Sequence, residues 1–245
     1  MARERVITRA FAAIAILLWT FAALAEMGPC YKDNLNNSYC GNGDGAARLI
    51  PNTTSPSHRL ALAWRLTNRP PTIRPNDNDP DLESLIVRIE DGAILVISRG
   101  FYWHLGDRYA PRQYLRAAWS PDSHFLIRTA GRIGVPDLAE LFAFGQDDRI
   151  IGPFDLAKPF DAAVRLQMKN IEGAEQYSLG VTDSPTLSVD DRGAIHGSVY
   201  MKAPDSGKDL IYDLTAQITS AGDSLDAKVL TISQYLGAYI SVTVH

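Results

Sequence analysis

Leu210, Tyr212, Leu214, Ala216 and Ile218 alternate with Asp213, Thr215, Gln217 and Thr219, and this period of two restricts the fold more than any other feature. Successive side chains of an extended strand point to opposite faces, so the alternation describes a sheet with one dry and one wet face. Ala238, Ile240, Val242 and Val244 repeat it near the end of the chain. From Ala163 onward the strands are separated by turn formers at Asp190 to Gly193, at Asp205-Ser206-Gly207 and at Ala221 to Ser224. Short connections of this kind join antiparallel neighbours, so residues 153–245 are expected to form a C-terminal antiparallel β-meander.

Upstream, residues 59–152 read as a second β region. Arg59 to Leu66 is its first strand. Leu85 to Glu90 and Ala93 to Ser98 flank Asp91-Gly92, a pair that tolerates the positive φ of a tight hairpin. Tyr114 to Trp119 and His124 to Thr129 are joined by Ser120-Pro121-Asp122-Ser123, where proline pre-sets the turn. Leu138 to Phe144 reads as another strand, although Pro136-Asp137 equally suits the start of a short helix. Residues 26–58, rich in Asn, Gly and Pro, are expected to be irregular. No amphipathic helix is expected after residue 25, so the fold class is mainly β.

Arg3, Arg5 and Arg9 precede an uncharged run from Phe11 to Leu24, and Ala23-Leu24-Ala25 closes it ahead of Glu26. That order is a secretory signal peptide over residues 1–25, cleaved after Ala25. A transmembrane anchor would want a longer span with basic residues behind it, whereas Glu26-Met27-Gly28-Pro29 follows. Export places the protein in the periplasm or outside the cell, with no membrane span once the signal is removed. There Cys30 and Cys40, the only cysteines, are expected to form one disulfide stapling the N-terminal segment. Removing residues 1–25, which hold three arginines and one glutamate, takes the net charge from −4 to −6. Nucleic acid is therefore a poor partner.

Ala118-Trp119-Ser120-Pro121-Asp122-Ser123, followed by Phe125-Leu126-Ile127 and then by Leu138 to Phe144, resembles one blade of the TolB-like and WD40-like β-propellers. The resemblance spans residues 114–144, with Ser123 where the family usually has glycine. It implies blade-like antiparallel sheets packed with the C-terminal meander. Two blade-like units fit, roughly Arg59 to Ser98 and Gln113 to Gly152; a small or incomplete propeller is the alternative. Propellers mostly bind, so the resemblance implies an interaction protein.

Candidate chemistry is sparse. Gly222-Asp223-Ser224-Leu225 matches the nucleophile block of GDSL esterases, but it lies near the C-terminus and only His245 follows it. A nucleophile without an oriented base is inert, so a turn is expected there and no catalytic residue is assigned. Asp77, Asp79, Asp81 and Glu83 alternate in a loop, yet Leu82 and Arg88 stand where a calcium-binding EF-hand needs glycine and glutamate. The histidines His58, His104, His124, His196 and His245 are scattered. No metal site or cofactor is expected. Asn36-Asn37-Ser38 and Asn52-Thr53-Thr54 are glycosylation sequons if the host is eukaryotic.

The remaining feature is Phe101, Tyr102, Trp103 and His104, with Arg108, Tyr109 and Arg112 close behind. Rigid aromatic area combined with arginine suits an interface hot spot or a sugar platform; the competing reading is filler between two sheets. The expected function is a non-enzymatic binding module that presents this segment to an envelope or extracellular protein or glycan. The alternative is an exported hydrolase whose site assembles only in the fold.

Overall fold

Short, turn-rich connections dictate pairing between neighbours in sequence, and that is how almost every strand pairs. The computed structural model describes residues 27–72, 80–99, 113–132, 135–145, 149–181, 186–204 and 207–235. Their strands form three antiparallel sheets. The first runs in chain order through β1 (Cys30–Lys32), β2 (Ser38–Cys40), β3 (Ala47–Leu49), β4 (Leu60–Leu66), β5 (Leu82–Arg88) and β6 (Ile94–Arg99). The second contains β7 (Gln113–Trp119), β8 (Phe125–Arg132), β9 (Val135–Phe144) and β10 (Ile150–Asp155), again in order. The third aligns β11 (Ser178–Val181), β13 (Ala194–Lys202), β14 (Leu210–Ala221) and β15 (Ser224–Gln234), with β12 (Ser188–Val189) also paired to β13. The fold is mainly β and antiparallel, as the alternation requires. No helix among the described residues is long and apolar enough to cross a membrane.

The second sheet lies between the other two and is dry on both sides. Leu126, Ala130, Phe142 and Phe144 pack with Leu60, Leu62, Trp64 and Leu66 of β4. Ile127, Ala139, Leu141 and Ala143, of opposite parity, pack with Ile195, Val199, Leu214 and Ala216 of the third sheet. Fully burying one such side chain is worth about 1.5–3 kcal/mol, so these two layers supply most of the drive to stack the sheets. The far face of the third sheet stays wet: His196, Asp213, Thr219 and Lys228 are exposed, and Thr215 and Thr231 share a hydroxyl hydrogen bond across it at 2.6 Å.

The N-terminal segment departs from expectation. In place of an irregular stretch, residues 30–49 contribute three short strands to the first sheet, and the chain curls over that sheet's outer face. The Met27 N–H donates to Gly92 C=O and the Cys30 N–H to Ile89 C=O. Inside the curl lie Cys40, Ala47, Ala63, Leu85 and Val87, all buried. Small side chains at residues 47 and 63 let the chain approach closely. Gly92 is required at its place: φ is +69°, and a Cβ there would meet the Gly28 carbonyl. Cys30 and Cys40 sit opposite each other in the β1–β2 ladder and form the expected disulfide. Strands of three residues carry too little alternation to stand out among turn formers, which is why the sequence hides them.

A second correction is α1 (Ala157–Met168), where the sequence suggests no helix and a meander already begun at Ala163. Phe160, Val164 and Met168, four residues apart, are buried in the core shared by the second and third sheets. One apolar residue per turn is a narrow stripe. Pro159 masks it further, although in the first turn a missing N–H breaks no intrahelical bond. Arg165 ties the helix to the following 3-10 turn (Ala174–Gln176), pairing with Asp161 at 2.7 Å and donating to the Ala174 and Tyr177 carbonyls at 3.1 Å.

Candidate functional site

The turn Ser120-Pro121-Asp122-Ser123 between β7 and β8 has a twin. In it, the Ser120 N–H donates to Phe125 C=O and the Ser123 N–H to Ser120 C=O, both at 2.9 Å. The Phe125 N–H donates to Ser120 Oγ at 2.8 Å, and the Ser120 hydroxyl donates to Asp122 Oδ1 at 2.6 Å. Ser55-Pro56-Ser57-His58-Arg59-Leu60, between β3 and β4, repeats this pattern residue for residue. The Ser55 N–H donates to Leu60 C=O, the His58 N–H to Ser55 C=O, and the Leu60 N–H to Ser55 Oγ, while Ser57 Oγ stands in for the aspartate. Even the left-handed residue corresponds, with φ of 58° at His58 and 66° at Ser123. Between β12 and β13 a version one residue shorter occurs: the Asp190 N–H donates to Ala194 C=O, the Ala194 N–H donates to Asp190 Oδ1, and Gly193 takes the positive φ.

These three turns meet at one end of the stack. The Ser57 N–H donates to Ser123 Oγ at 2.9 Å, linking the first pair, and the Asp122 N–H donates to Asp191 Oδ1 at 2.8 Å, linking the second. Trp119 adds a bond from its indole N–H to Thr53 C=O at 2.8 Å. Each sheet therefore offers the same four-strand unit with its marked turn between the first and second strands: β3–β6, β7–β10, and β12 to β15. The sequence shows one copy plainly. The first was missed because Ser57 and His58 replace the aspartate and glycine of the pattern and Thr54 replaces Trp119.

Between the first two turns lies a cleft of about 340 Å³ lined by Ser57, Arg59, Leu60, Asp122, Ser123, His124, Phe144 and Gly145. Its floor is apolar and its rim charged. Burial alone would raise the Asp122 carboxyl, but hydrogen bonds from the Ser120 hydroxyl and the His124 amide, with Asp191 and His124 nearby, outweigh it and hold the group below the usual carboxylate range. The Ser57 and Ser123 oxygens are engaged within and between the turns. The His124 ring packs edge-on against Phe125 at 4.6 Å. A serine nucleophile needs its base within hydrogen-bond reach, and these engagements point the groups at the turns instead. The Ser57, Ser123 and Asp122 side chains thus hold the two turns together.

Phe101, Tyr102, Trp103, His104, Arg108, Tyr109 and Arg112 lie outside the described residues, as does the alternating tail from Ala238. The strands that bracket the aromatic segment are described. Leu60 at the Ser55 turn pairs with Arg88, so β5 ends and β6 starts at the turn end of the stack. β6 then finishes, and β7 begins, at the opposite end. The Gly222-Asp223 block is the two-residue turn expected of it, with Ala221 opposite Ser224, φ of +61° at Gly222, and the Asp223 carboxylate paired to Arg149. Asp81 accepts from Asn68 Nδ2 at 2.7 Å and Glu83 pairs with Arg65 at 2.7 Å, while Asp77 and Asp79 lie outside the described residues. Among the described residues no cluster of three His, Cys, Asp or Glu side chains is placed to hold a metal.

No protein-family model matches the chain, and no curated protein matches it.

Proposed function

We propose that the chain is exported to the periplasm or the cell exterior, with residues 1–25 removed, and acts there as a non-enzymatic binding module built of three blade-like units in an incomplete propeller arrangement. The reading rests first on strand polarity. β6 ends and β7 begins at the end away from the Ser-Pro turns, and the aromatic and arginine residues of the sequence lie, along the chain, between those two strand ends. Loops held at both ends by rigid strands are where recognition residues concentrate. The Cys30–Cys40 disulfide supports an oxidising compartment, and the three equivalent turns support the blade reading. The partner is an envelope or extracellular protein or glycan.

The test is capture of envelope and culture-fluid partners by the exported protein, beside a Tyr102→Ala, Trp103→Ala double variant whose fold is checked by circular dichroism. A partner retained by the parent and lost by the folded variant is the expected result. Capture unchanged by the double substitution refutes the assignment of the segment. Turnover of ester or glycoside substrates by the parent refutes the non-enzymatic reading.

A further inference from the structure

Beside the disulfide hairpin lies a buried cation that no carboxylate among the described residues pairs directly. Arg48 on β3 is 5% exposed. Among the described residues its guanidinium makes one hydrogen bond, from Nη2 to Asn37 Oδ1 at 2.7 Å, and lies over the Tyr39 ring, 5.7 Å from the centroid. A buried guanidinium is ordinarily matched by a carboxylate, because leaving water without a counter-charge is costly. The acid in its network is Asp33, which feels the charge of Arg48 but is hydrogen-bonded to it only by way of Asn37, whose Nδ2 donates to Asp33 Oδ2 at 3.0 Å. Asp33 is already occupied, since its Oδ1 accepts the Leu35 and Asn37 N–H groups.

Arg48 lines a cleft of about 320 Å³ whose other polar walls are Lys32, Asn36, Asn37, Ser38, Asn52 and Thr54. Lys32, exposed at the end of β1, adds a second positive charge. The amides and the hydroxyls supply both donors and acceptors, the pairing that sugar hydroxyls need. The guanidinium fork matches a planar carboxylate, and the volume lies at the small end of ligand pockets.

We infer that this cleft is an acidic-saccharide site in which Arg48 and Lys32 hold the carboxylate of a uronic acid while the Asn36 and Asn52 amides and the Ser38 hydroxyl bind its hydroxyls. The cleft is lined by residues 32–54, so it stands or falls independently of the proposal for residues 101–112. Local order explains the placement: Asn36, at φ of 63°, closes the β1–β2 turn, Asn52, at 61°, closes the loop after β3, and the disulfide fixes the hairpin that carries Lys32 beside them.

The test is titration of the exported protein with digalacturonate, its neutral counterpart galactobiose, acetate and sulfate, followed by amide NMR shifts and calorimetry. Digalacturonate is expected to shift the Asn36, Asn37, Ser38 and Asn52 signals and to bind about tenfold or more tightly than galactobiose, the factor one charge-assisted hydrogen bond supplies. Arg48→Met and Lys32→Gln are each expected to weaken it by a similar factor. Lys32 is exposed, so Lys32→Gln carries the test if Arg48→Met does not fold. Equal affinity for the two disaccharides, acetate or sulfate binding as tightly as digalacturonate, no binding at all, or binding unchanged by Lys32→Gln would each overturn the inference. So would mass-spectrometric detection of a covalent glycan on Asn36 or Asn52, which would cover the cleft.

Discussion

Arg128 is the residue whose loss the first and second sheets should feel most. It is 1% exposed in the middle of β8, with Nε donating to Glu140 Oε2 at 2.9 Å and Nη2 pairing with the same oxygen. Its Nη1 donates to Ser98 Oγ on β6 at 2.6 Å, bridging two sheets, and its guanidinium lies 5.5 Å from the Phe142 ring centroid. Arg128→Ala would strand the Glu140 carboxylate, 15% exposed, and open a void against Phe142. Breaking one side of a buried pair costs about 3–5 kcal/mol, a large part of the roughly 5–15 kcal/mol that holds a typical domain together. Replacing both partners, as Arg128→Met with Glu140→Leu, removes the stranded charge and is expected to recover most of that loss. Urea unfolding followed by tryptophan fluorescence, with the disulfide intact, reads both variants, and the double-mutant cycle should show a coupling of about 2 kcal/mol or more. A single substitution costing under about 1 kcal/mol, or two costs that simply add, would refute the reasoning.

His58→Gly is expected to stabilise the protein by about 1 kcal/mol in the same assay, because only the positive φ is relieved. Ser123→Gly should gain little or lose, since Ser123 Oγ also accepts the Ser57 N–H; equal gains at both positions would contradict the turn linkage. Stability should also fall in acid. Hydrogen bonding from Arg88 holds Asp91 below the usual carboxylate range, and the Asn37 side chain does the same for Asp33. In Asp122 the hydrogen bonds win over burial. A depressed folded pKa contributes stability that is fully present above the unfolded value of about 3.9 and is lost as pH falls through the folded values. The urea midpoint should therefore be level down to about pH 5 and drop below about pH 4; a midpoint unchanged down to pH 3 would argue against these bonds.

The sequence by itself determined the strands that are long and alternating. Leu210 to Thr219 buries one parity of residue, and period two is a local property that needs no knowledge of what packs above it. Leu85 to Ser98 and Tyr114 to Thr129, buried on both faces, are marked instead by apolar runs on either side of a turn. It also determined the Cys30–Cys40 pair and the Gly222-Asp223 turn, because both depend on neighbours close along the chain. Tertiary structure decided what local pattern cannot encode. The strands at residues 30–49 exist because β4 offers them an edge, and α1 exists because the core between the second and third sheets accepts Phe160, Val164 and Met168. The kinship of the Ser55 and Ser120 turns lies in backbone hydrogen bonds that Ser57 and His58 satisfy as well as other residues would. The Arg48 cleft was least legible of all. A lone arginine beside asparagines has no signature until folding buries its charge, and burial is a property of the whole sheet rather than of the residues beside it in sequence.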